Sequence, residues 1–179
     1  MNFLFTILLI SITSCINFEP DRAPEAQIDS VYQHNSRDTV IEVIKNVRAD
    51  SLVSFAKTQI GVPYLYASTD PAKGFDCSGF ITYVFRHFKI AVPRSSVDFT
   101  NYGRPVPVDQ AKPGDLILFT GTDSTIRIVG HMGIIERREN DSLYFIHSTS
   151  GKMKGVVITP LGEYYKRRFV KTIRVLEDL

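Results

Sequence analysis

The chain has 179 residues but only two cysteines, Cys15 and Cys77. Cys15 lies in a motif that predicts acylation of its sulfur, which would leave Cys77 without a partner thiol. We therefore expect no disulfide. The sequence also lacks close ligand pairs such as Cys-x-x-Cys or His-Glu-x-x-His, which are typical of zinc sites. A zinc site formed by Cys77, His131 and His147 is therefore a minor alternative, and we expect no metal and no organic cofactor.

Neither sign of charge predominates, since 21 lysines and arginines stand against 19 aspartates and glutamates and the formal net charge is +2. The sequence has no run of basic residues interleaved with aromatic residues, a pattern that nucleic-acid binding needs. The basic cluster Lys166, Arg167, Arg168 and Lys171 is interpreted as a solvated face. We therefore expect no nucleic-acid partner.

The apolar run from Phe3 to Ile12 has about ten residues, half of what a bilayer-spanning helix needs. Its length instead suits the hydrophobic region of a secretory signal. The residues that follow, Thr13-Ser14-Cys15, resemble the lipobox of bacterial lipoproteins, in which a cysteine is acylated and becomes the new N-terminus. Residues 1–14 are thus predicted to be a lipoprotein signal peptide and Cys15 the lipidated residue. An ordinary secretory signal with an incidental cysteine is the alternative.

Residues 15–48 are rich in Asp, Glu, Asn, Arg and Pro and have few large apolar residues before Val40. This composition favours a flexible tether, with His34 as a solvated loop residue. The segment from Thr39 to Val47 is compatible with either a short helix or a strand. Residues 49–179 are long enough to form one domain with a hydrophobic core, which we expect to be monomeric.

The first part of this domain has helical patterns. Apolar residues three and four positions apart predict one helix that ends at Gly61 and another that begins at Cys77. The segment 65–74 between them is predicted to be a loop because it contains proline and glycine. A short third helix is predicted from Ser95 to Gly103.

Beyond Pro113-Gly114 the pattern is typical of strands. We predict five of them, over Leu116–Phe119, His131–Arg137, Leu143–His147, Val156–Thr159 and Phe169–Val175. Helices followed by strands favour an α+β fold with an antiparallel sheet over an alternating parallel arrangement.

Cys77 lies at the centre of the pentapeptide Phe75-Asp76-Cys77-Ser78-Gly79, in the first turn of the second predicted helix. Unpaired N–H groups and the positive end of the helix dipole favour a thiolate there, so we expect the pKa of Cys77 to be lowered. Asp76 is the expected N-cap, and the small residues after Cys77 leave room for a substrate. A buried structural cysteine is the alternative.

Two histidines lie at the ends of predicted strands. His131 begins one strand and His147 ends the next, so antiparallel pairing would place both imidazoles at one edge of the sheet. His131 could then take the Cys77 proton and later protonate a leaving amine, while His147 fixes the tautomer of His131. Satisfied structural histidines are the alternative, and His87 is interpreted as simply exposed.

From about residue 50 to 175 the chain resembles the NlpC family of papain-like cysteine peptidases, which trim bacterial peptidoglycan. The resemblance is carried, in order, by Gly61-Val62-Pro63-Tyr64, by Gly74 to Phe80, by Val92-Pro93-Arg94-Ser95-Ser96, by Lys112-Pro113-Gly114-Asp115-Leu116 and by His131-Met132-Gly133-Ile134. It implies a papain-like α+β fold, with N-terminal helices and an antiparallel sheet. It also implies that Cys77 is the nucleophile, His131 the base and His147 the third polar residue.

The resemblance further implies substrate contacts around Cys77. The Tyr64 hydroxyl would lie beside the sulfur and, with the Cys77 N–H, stabilise a tetrahedral oxyanion. Asp76 and Ser78 would hold the free amine and carboxylate of the substrate, and Arg94 is a further candidate for a carboxylate contact.

The implied activity is hydrolysis of an amide bond in peptidoglycan stem peptides, through a thioester on Cys77. The bond would join γ-D-glutamate to a diamino acid or form a cross-link, and the protein would be exported and lipid-anchored to a bacterial membrane, facing the cell wall. Family members commonly continue after the Tyr64 position with an aromatic residue and two glycines. The chain instead has Tyr66-Ala67-Ser68, which we expect to reshape the substrate subsites.

Two other functions are compatible with the same residues. A papain-like acyltransferase or transglutaminase would form the same thioester and pass the acyl group to an amine or alcohol instead of water. An inactive peptidoglycan-binding module would keep the fold without the chemistry.

Overall fold

The computed structural model describes residues 48–176. The predicted signal peptide, the tether as far as Val47 with Cys15 and His34, and the last three residues of the predicted domain lie outside the described residues. None of the helices within 48–176 has the length and apolar character that crossing a membrane requires.

The described part of the chain forms three α-helices, two 3₁₀ helices and eight strands. In chain order these are α1 (Ala49–Lys57), β1 (Thr69–Asp70), β2 (Gly74–Phe75), α2 (Cys77–His87), a 3₁₀ helix (Ser96–Asn101), β3 (Arg104–Val106), a 3₁₀ helix (Val108–Gln110), β4 (Leu116–Thr120), β5 (Val129–Glu139), β6 (Ser142–Thr149), β7 (Gly155–Pro160), α3 (Glu163–Arg168) and β8 (Phe169–Arg174). All five predicted strands are present, as β4 to β8.

Six of the strands form one antiparallel sheet in the order β3-β8-β4-β5-β6-β7, and β1 pairs with β2 in a separate hairpin. The prediction of an α+β fold with an antiparallel sheet is confirmed. Strands β5 and β6 are neighbours with Ile134 opposite Ile146. The start of β5 therefore lies at the same edge of the sheet as the end of β6.

Both faces of the sheet are covered, so β4 is buried along its whole length. Leu116 and Leu118 belong to the main core with α1 and α2, whereas Ile117 and Phe119 belong to a second cluster on the other face. This division follows from the two-residue period of a strand. Tyr165 of α3 packs against the second cluster.

Three local predictions differ from the structure. Helix α1 ends at Lys57, before the predicted terminator, because the chain turns there and the Gly61 N–H donates to Val156 O of β7 at 3.0 Å. The segment 65–74 contains most of the β1–β2 hairpin, and β2 continues directly to α2. The third predicted helix is a 3₁₀ helix over Ser96–Asn101.

Helix α3 was not predicted, and it corrects the interpretation of the basic cluster. Lys166 and Arg167 are exposed as expected, but Arg168 is only 6% exposed. Its guanidinium donates to the carbonyl oxygens of Thr120 at 2.9 Å and Gly121 at 2.8 Å, at the end of β4. These two acceptors replace the water that would otherwise solvate the charge.

Candidate active site

Cys77 is the first residue of α2, as predicted, and it faces a cleft. The Asp76 carboxylate caps the helix by accepting a hydrogen bond from the Gly79 N–H at 2.6 Å. Cys77 is 9% exposed and lines a cavity of about 370 Å³. Its sulfur lies 3.9 Å from the carbonyl oxygen of Gly130, the residue before His131. The thiol is therefore open to a small reacting group, unlike a cysteine sealed in a core.

The glycine of the pentapeptide is required by close packing. A Cβ atom on Gly79 would lie 2.0 Å from the carbonyl oxygen of Ser68, which is backbone and has little room to move. The first turn of α2 is thereby held against the β1–β2 hairpin. This contact fixes where the thiol lies.

The two predicted histidines meet where β5 begins and the neighbouring strand β6 ends. His131, near the start of β5, has its Nε2 atom 2.8 Å from Nδ1 of His147, near the end of β6. The other ring nitrogen of His147, Nε2, lies 3.0 Å from the hydroxyl oxygen of Thr159 on β7. A Cβ on Gly133 would lie 2.9 Å from the backbone carbonyl oxygen of Ile146 and 3.1 Å from the His147 Cβ, so the close approach of β5 and β6 requires a glycine.

These hydrogen bonds leave Nδ1 of His131 as the ring nitrogen available for chemistry. If the Thr159 hydroxyl accepts from Nε2–H of His147, then His147 Nδ1 accepts from Nε2–H of His131. Nδ1 of His131 then carries a lone pair and can act as a base. The arrangement can take a proton from a thiol and return it to another atom.

The electrostatics of the site differ from the prediction for the thiol. Burial raises the pKa of Cys77 to about 11, and the Asp76 carboxylate acts in the same direction. The N–H groups of Ser78 and Cys77 and the charge of Arg94 oppose this rise without cancelling it. The expectation of a lowered pKa is therefore wrong for the free protein, because desolvation outweighs the helix terminus.

Both imidazoles are neutral in the same environment. Burial lowers the pKa of His147 to about 3, and the positive charge of Arg168 adds to the effect. Burial also lowers the pKa of His131 well below its usual value, and the electrostatic effects of His147 and Arg168 add to this. At neutral pH the free site thus holds a thiol and a neutral imidazole, so the proton must move as the sulfur attacks.

Asp76, Ser78 and Arg94 form one cluster in the wall of the Cys77 cleft. Arg94 donates to both carboxylate oxygens of Asp76, at 3.0 and 2.6 Å, and to the Ser78 hydroxyl oxygen at 3.0 Å. The structure brings these three predicted residues together, and it pairs Arg94 with Asp76.

Tyr64 lines the same cleft as Cys77. Burial raises the pKa of the Tyr64 hydroxyl, the charges of Cys77 and Asp76 add to the rise, and the Ser150 side chain opposes it. Tyr66 is 82% exposed at the cleft, and Ala67 beside it has φ +58°. That left-handed conformation is one that glycine adopts more readily than alanine.

Thr159 and Arg168 were not predicted as site residues. Thr159 is one residue of a predicted strand with no motif around it, and Arg168 belongs to a cluster interpreted as solvated. Both lie next to the histidine pair only because β7 and α3 pack beside it. No signal in the sequence distinguishes them. Among residues 48–176, His, Cys, Asp and Glu side chains form no group of three that could hold a metal ion.

The chain matches the NlpC/P60 family over residues 61–174, which is more than half of its length. It is 30% identical over 176 residues to the protein of Escherichia coli K12 named murein DD-endopeptidase MepS/murein LD-carboxypeptidase, covering 94% of this chain and 87% of that protein. It is 34% identical over 137 residues to a γ-DL-glutamyl hydrolase of Bacillus subtilis, covering 73% of this chain and 30% of that protein. The chain thus spans less than a third of the length of the B. subtilis relative.

Solved structures show the same fold. An NlpC/P60 family protein from Bacillus cereus is 30% identical, with a TM-score of 0.64 over 73% of this chain and 41% of that one. The NlpC/P60 domain of the peptidoglycan hydrolase SagA is 25% identical, with a TM-score of 0.60 over 72% of this chain and all of that domain.

Proposed function

The chain belongs to the NlpC/P60 family, and we propose that it is a cysteine endopeptidase that hydrolyses an amide bond in peptidoglycan stem peptides through a thioester on Cys77. The observations that carry the proposal are the 2.8 Å contact between His131 Nε2 and His147 Nδ1 and the position of the Cys77 sulfur, 3.9 Å from the carbonyl oxygen of Gly130, the residue before His131. A relative named as a murein endopeptidase supports the substrate class.

In the first half of the reaction, the Cys77 sulfur attacks the carbonyl carbon of the scissile amide as its proton passes to His131 Nδ1. The carbonyl oxygen becomes an oxyanion, which the Cys77 N–H and the Tyr64 hydroxyl stabilise. His131 then gives the proton to the amide nitrogen, the C–N bond breaks, and the amine leaves. The acyl group remains on sulfur as a thioester.

In the second half, water attacks the thioester and His131 takes a proton from it. The C–S bond breaks, the product leaves as a carboxylic acid, and the sulfur is released as a thiol with the proton that His131 held. One water has then been added across one amide. The neutral resting state of His131 suits this order of steps, because a neutral imidazole accepts a proton, whereas an imidazolium could not.

The acyl side of the substrate would occupy the Cys77 cleft. Asp76, which lines this cleft with Ser78 and Arg94, supplies negative charge for a free amine, and Arg94 supplies donors for a carboxylate. A γ-D-glutamyl residue keeps a free α-carboxylate, and the N-terminus of a released stem peptide is a free amine, so we propose the bond between γ-D-glutamate and a diamino acid as the first candidate, with a cross-link as the second.

The test is digestion of purified muropeptides by the full-length protein, read by mass spectrometry. We expect cleavage by the wild type, none by Cys77→Ala, and a large loss in His131→Gln. The matched control is His87→Gln, since His87 is exposed and stacks on Phe55 with ring centroids 3.6 Å apart, away from the site. The product masses identify the bond.

Other outcomes would favour the alternatives. Full cleavage by Cys77→Ala would exclude this cysteine as the nucleophile. Binding of murein without cleavage by the folded wild type would favour an inactive binding module. An amide or ester product formed when an amine or alcohol is added would favour an acyltransferase.

We also propose that Cys15 is lipidated and that the protein is exported and anchored to a membrane, facing the cell wall. The support is the apolar run before Thr13-Ser14-Cys15. Metabolic labelling with a fatty acid tests it in the wild type and in Cys15→Ala. Label that is absent from the wild type, or that survives the substitution, would exclude the anchor.

A further inference from the structure

A second cavity opens on the histidine side of the site. Its volume is about 380 Å³, and His131 lines it, whereas the Cys77 cleft is lined by the preceding residue, Gly130. The two cavities therefore flank one peptide unit at the start of β5. In the proposed reaction the acyl group is on Cys77 and the proton reaches the amine from His131. The leaving fragment must then lie on the His131 side.

The second cavity has a cationic lining. Lys152 and Arg168 both line it. None of the described residues that form its wall is an aspartate or a glutamate. Ser150, Thr149 and Thr122 add hydroxyl groups. Such a lining favours an anionic ligand.

Arg168 is the buried part of this lining. It is 6% exposed, and within 48–176 no carboxylate lies within ion-pair distance of it. It donates to the backbone carbonyls of Thr120 and Gly121 and to the Tyr164 hydroxyl at 2.7 Å. A guanidinium has five N–H groups, so one remains on each Nη atom after these three bonds. A buried cation with carbonyl partners and no counter-charge is suited to receive an anion.

We propose that this cavity binds the leaving-amine fragment of the substrate and that Arg168, assisted by Lys152, binds a free carboxylate on that fragment. The inference rests on the proposed function and specifies its substrate further. The leaving fragment would be an amino acid whose carboxylate is free, and an amidated one would be cleaved poorly. The site discriminates because an uncharged amide cannot replace the carboxylate beside a buried cation.

The probes are two synthetic stem peptides that contain the scissile bond identified by muropeptide digestion. Their leaving amino acid carries either a free carboxylate or a carboxamide, and kcat/KM is measured for both. We expect the full-length wild type to prefer the carboxylate by about 10-fold to 100-fold, since a charge-assisted hydrogen bond is lost with the amide. Arg168→Gln should abolish the preference by slowing cleavage of the carboxylate peptide more than cleavage of the carboxamide peptide.

Two further variants keep the test decisive. Lys152→Gln alters an exposed side chain that makes none of the Arg168 contacts, and it should reduce the preference in the same direction even if Arg168→Gln does not fold. Lys166→Gln is the matched control, because Lys166 is exposed and pairs with Glu163 outside the cavity. It should leave the preference unchanged.

Equal kcat/KM for the two peptides in the wild type would overturn this inference and leave the hydrolase proposal intact. An equal fall for both peptides in Arg168→Gln would show that Arg168 acts through the histidines or the fold and does not bind the carboxylate, and would also overturn it. Failure of the wild type to cleave any muropeptide would overturn the proposed function and this inference with it.

Discussion

Nε2 of His131 lies 2.8 Å from Nδ1 of His147, and the far nitrogen of His147 lies 3.0 Å from the Thr159 hydroxyl. The second contact links the histidine pair to β7, a strand that carries no recognised motif. His131 can act as a base at Nδ1 only when its Nε2 carries the hydrogen. The Thr159 hydroxyl sets that state when it accepts a hydrogen bond from Nε2–H of His147.

Replacing Thr159 by Val should lower kcat about tenfold or more and leave KM almost unchanged. The substitution keeps the shape but removes the acceptor, so the buried His147 loses the partner that sets its tautomer. Steady-state kinetics on a cleaved muropeptide measure the effect. Thr159→Ser should restore most of the rate because it keeps the hydroxyl. A loss of equal size in Thr159→Ser would point to packing instead.

The raised pKa of Cys77, about 11, predicts how the free protein reacts with iodoacetamide. Only the thiolate reacts, and its fraction grows with pH below the pKa. The alkylation rate should therefore rise about tenfold per pH unit from pH 7 to 10. Mass spectrometry of the peptide that contains Cys77 separates this label from label on Cys15. A rate that is already constant between pH 5 and 8 would indicate a preformed thiolate-imidazolium pair and contradict the prediction.

Replacing Tyr64 by Phe should lower kcat about 100-fold, because one donor to the oxyanion is removed. The ring, which is half-buried in the cleft wall, stays in place. Steady-state kinetics separate the two roles that Tyr64 could have. A higher KM with unchanged kcat would assign the hydroxyl to substrate binding instead.

The sheet depends on a buried ion pair between β8 and the turn before β4. Arg174 donates from Nε and Nη2 to the two carboxylate oxygens of Asp115, each at 2.8 Å, and the Asp115 side chain is fully buried. Asp115→Ala should lower the free energy of unfolding by about 3 kcal/mol, since it removes the buried carboxylate that accepts two hydrogen bonds from the Arg174 guanidinium.

Urea unfolding followed by circular dichroism measures that loss. Asp109→Ala is the matched control, because Asp109 is exposed in a 3₁₀ helix. Its effect should stay within about 0.5 kcal/mol. A loss in Asp115→Ala no larger than in the control would contradict a stabilising role for the pair.

Much of the fold and the core of the candidate site could be predicted because their signals are local. Apolar spacing predicts that a helix begins at Cys77, and alternation with turn residues predicts the strands that carry His131 and His147. Their meeting at one edge follows from antiparallel pairing of consecutive strands. The lipidation of Cys15 is also read from a local motif, and it stays a prediction.

The sequence by itself determined the chemical groups of the site and the elements that carry them. Only the tertiary structure decided the surroundings that tune those groups. Thr159 contacts His147 of β6, which lies 12 residues away along the chain. Arg168 is held beside the histidines by donating to Thr120 of β4, which lies 48 residues away. The raised pKa of Cys77 likewise depends on burial. Desolvation and contact across space depend on packing of the whole sheet, and no short run of residues encodes them.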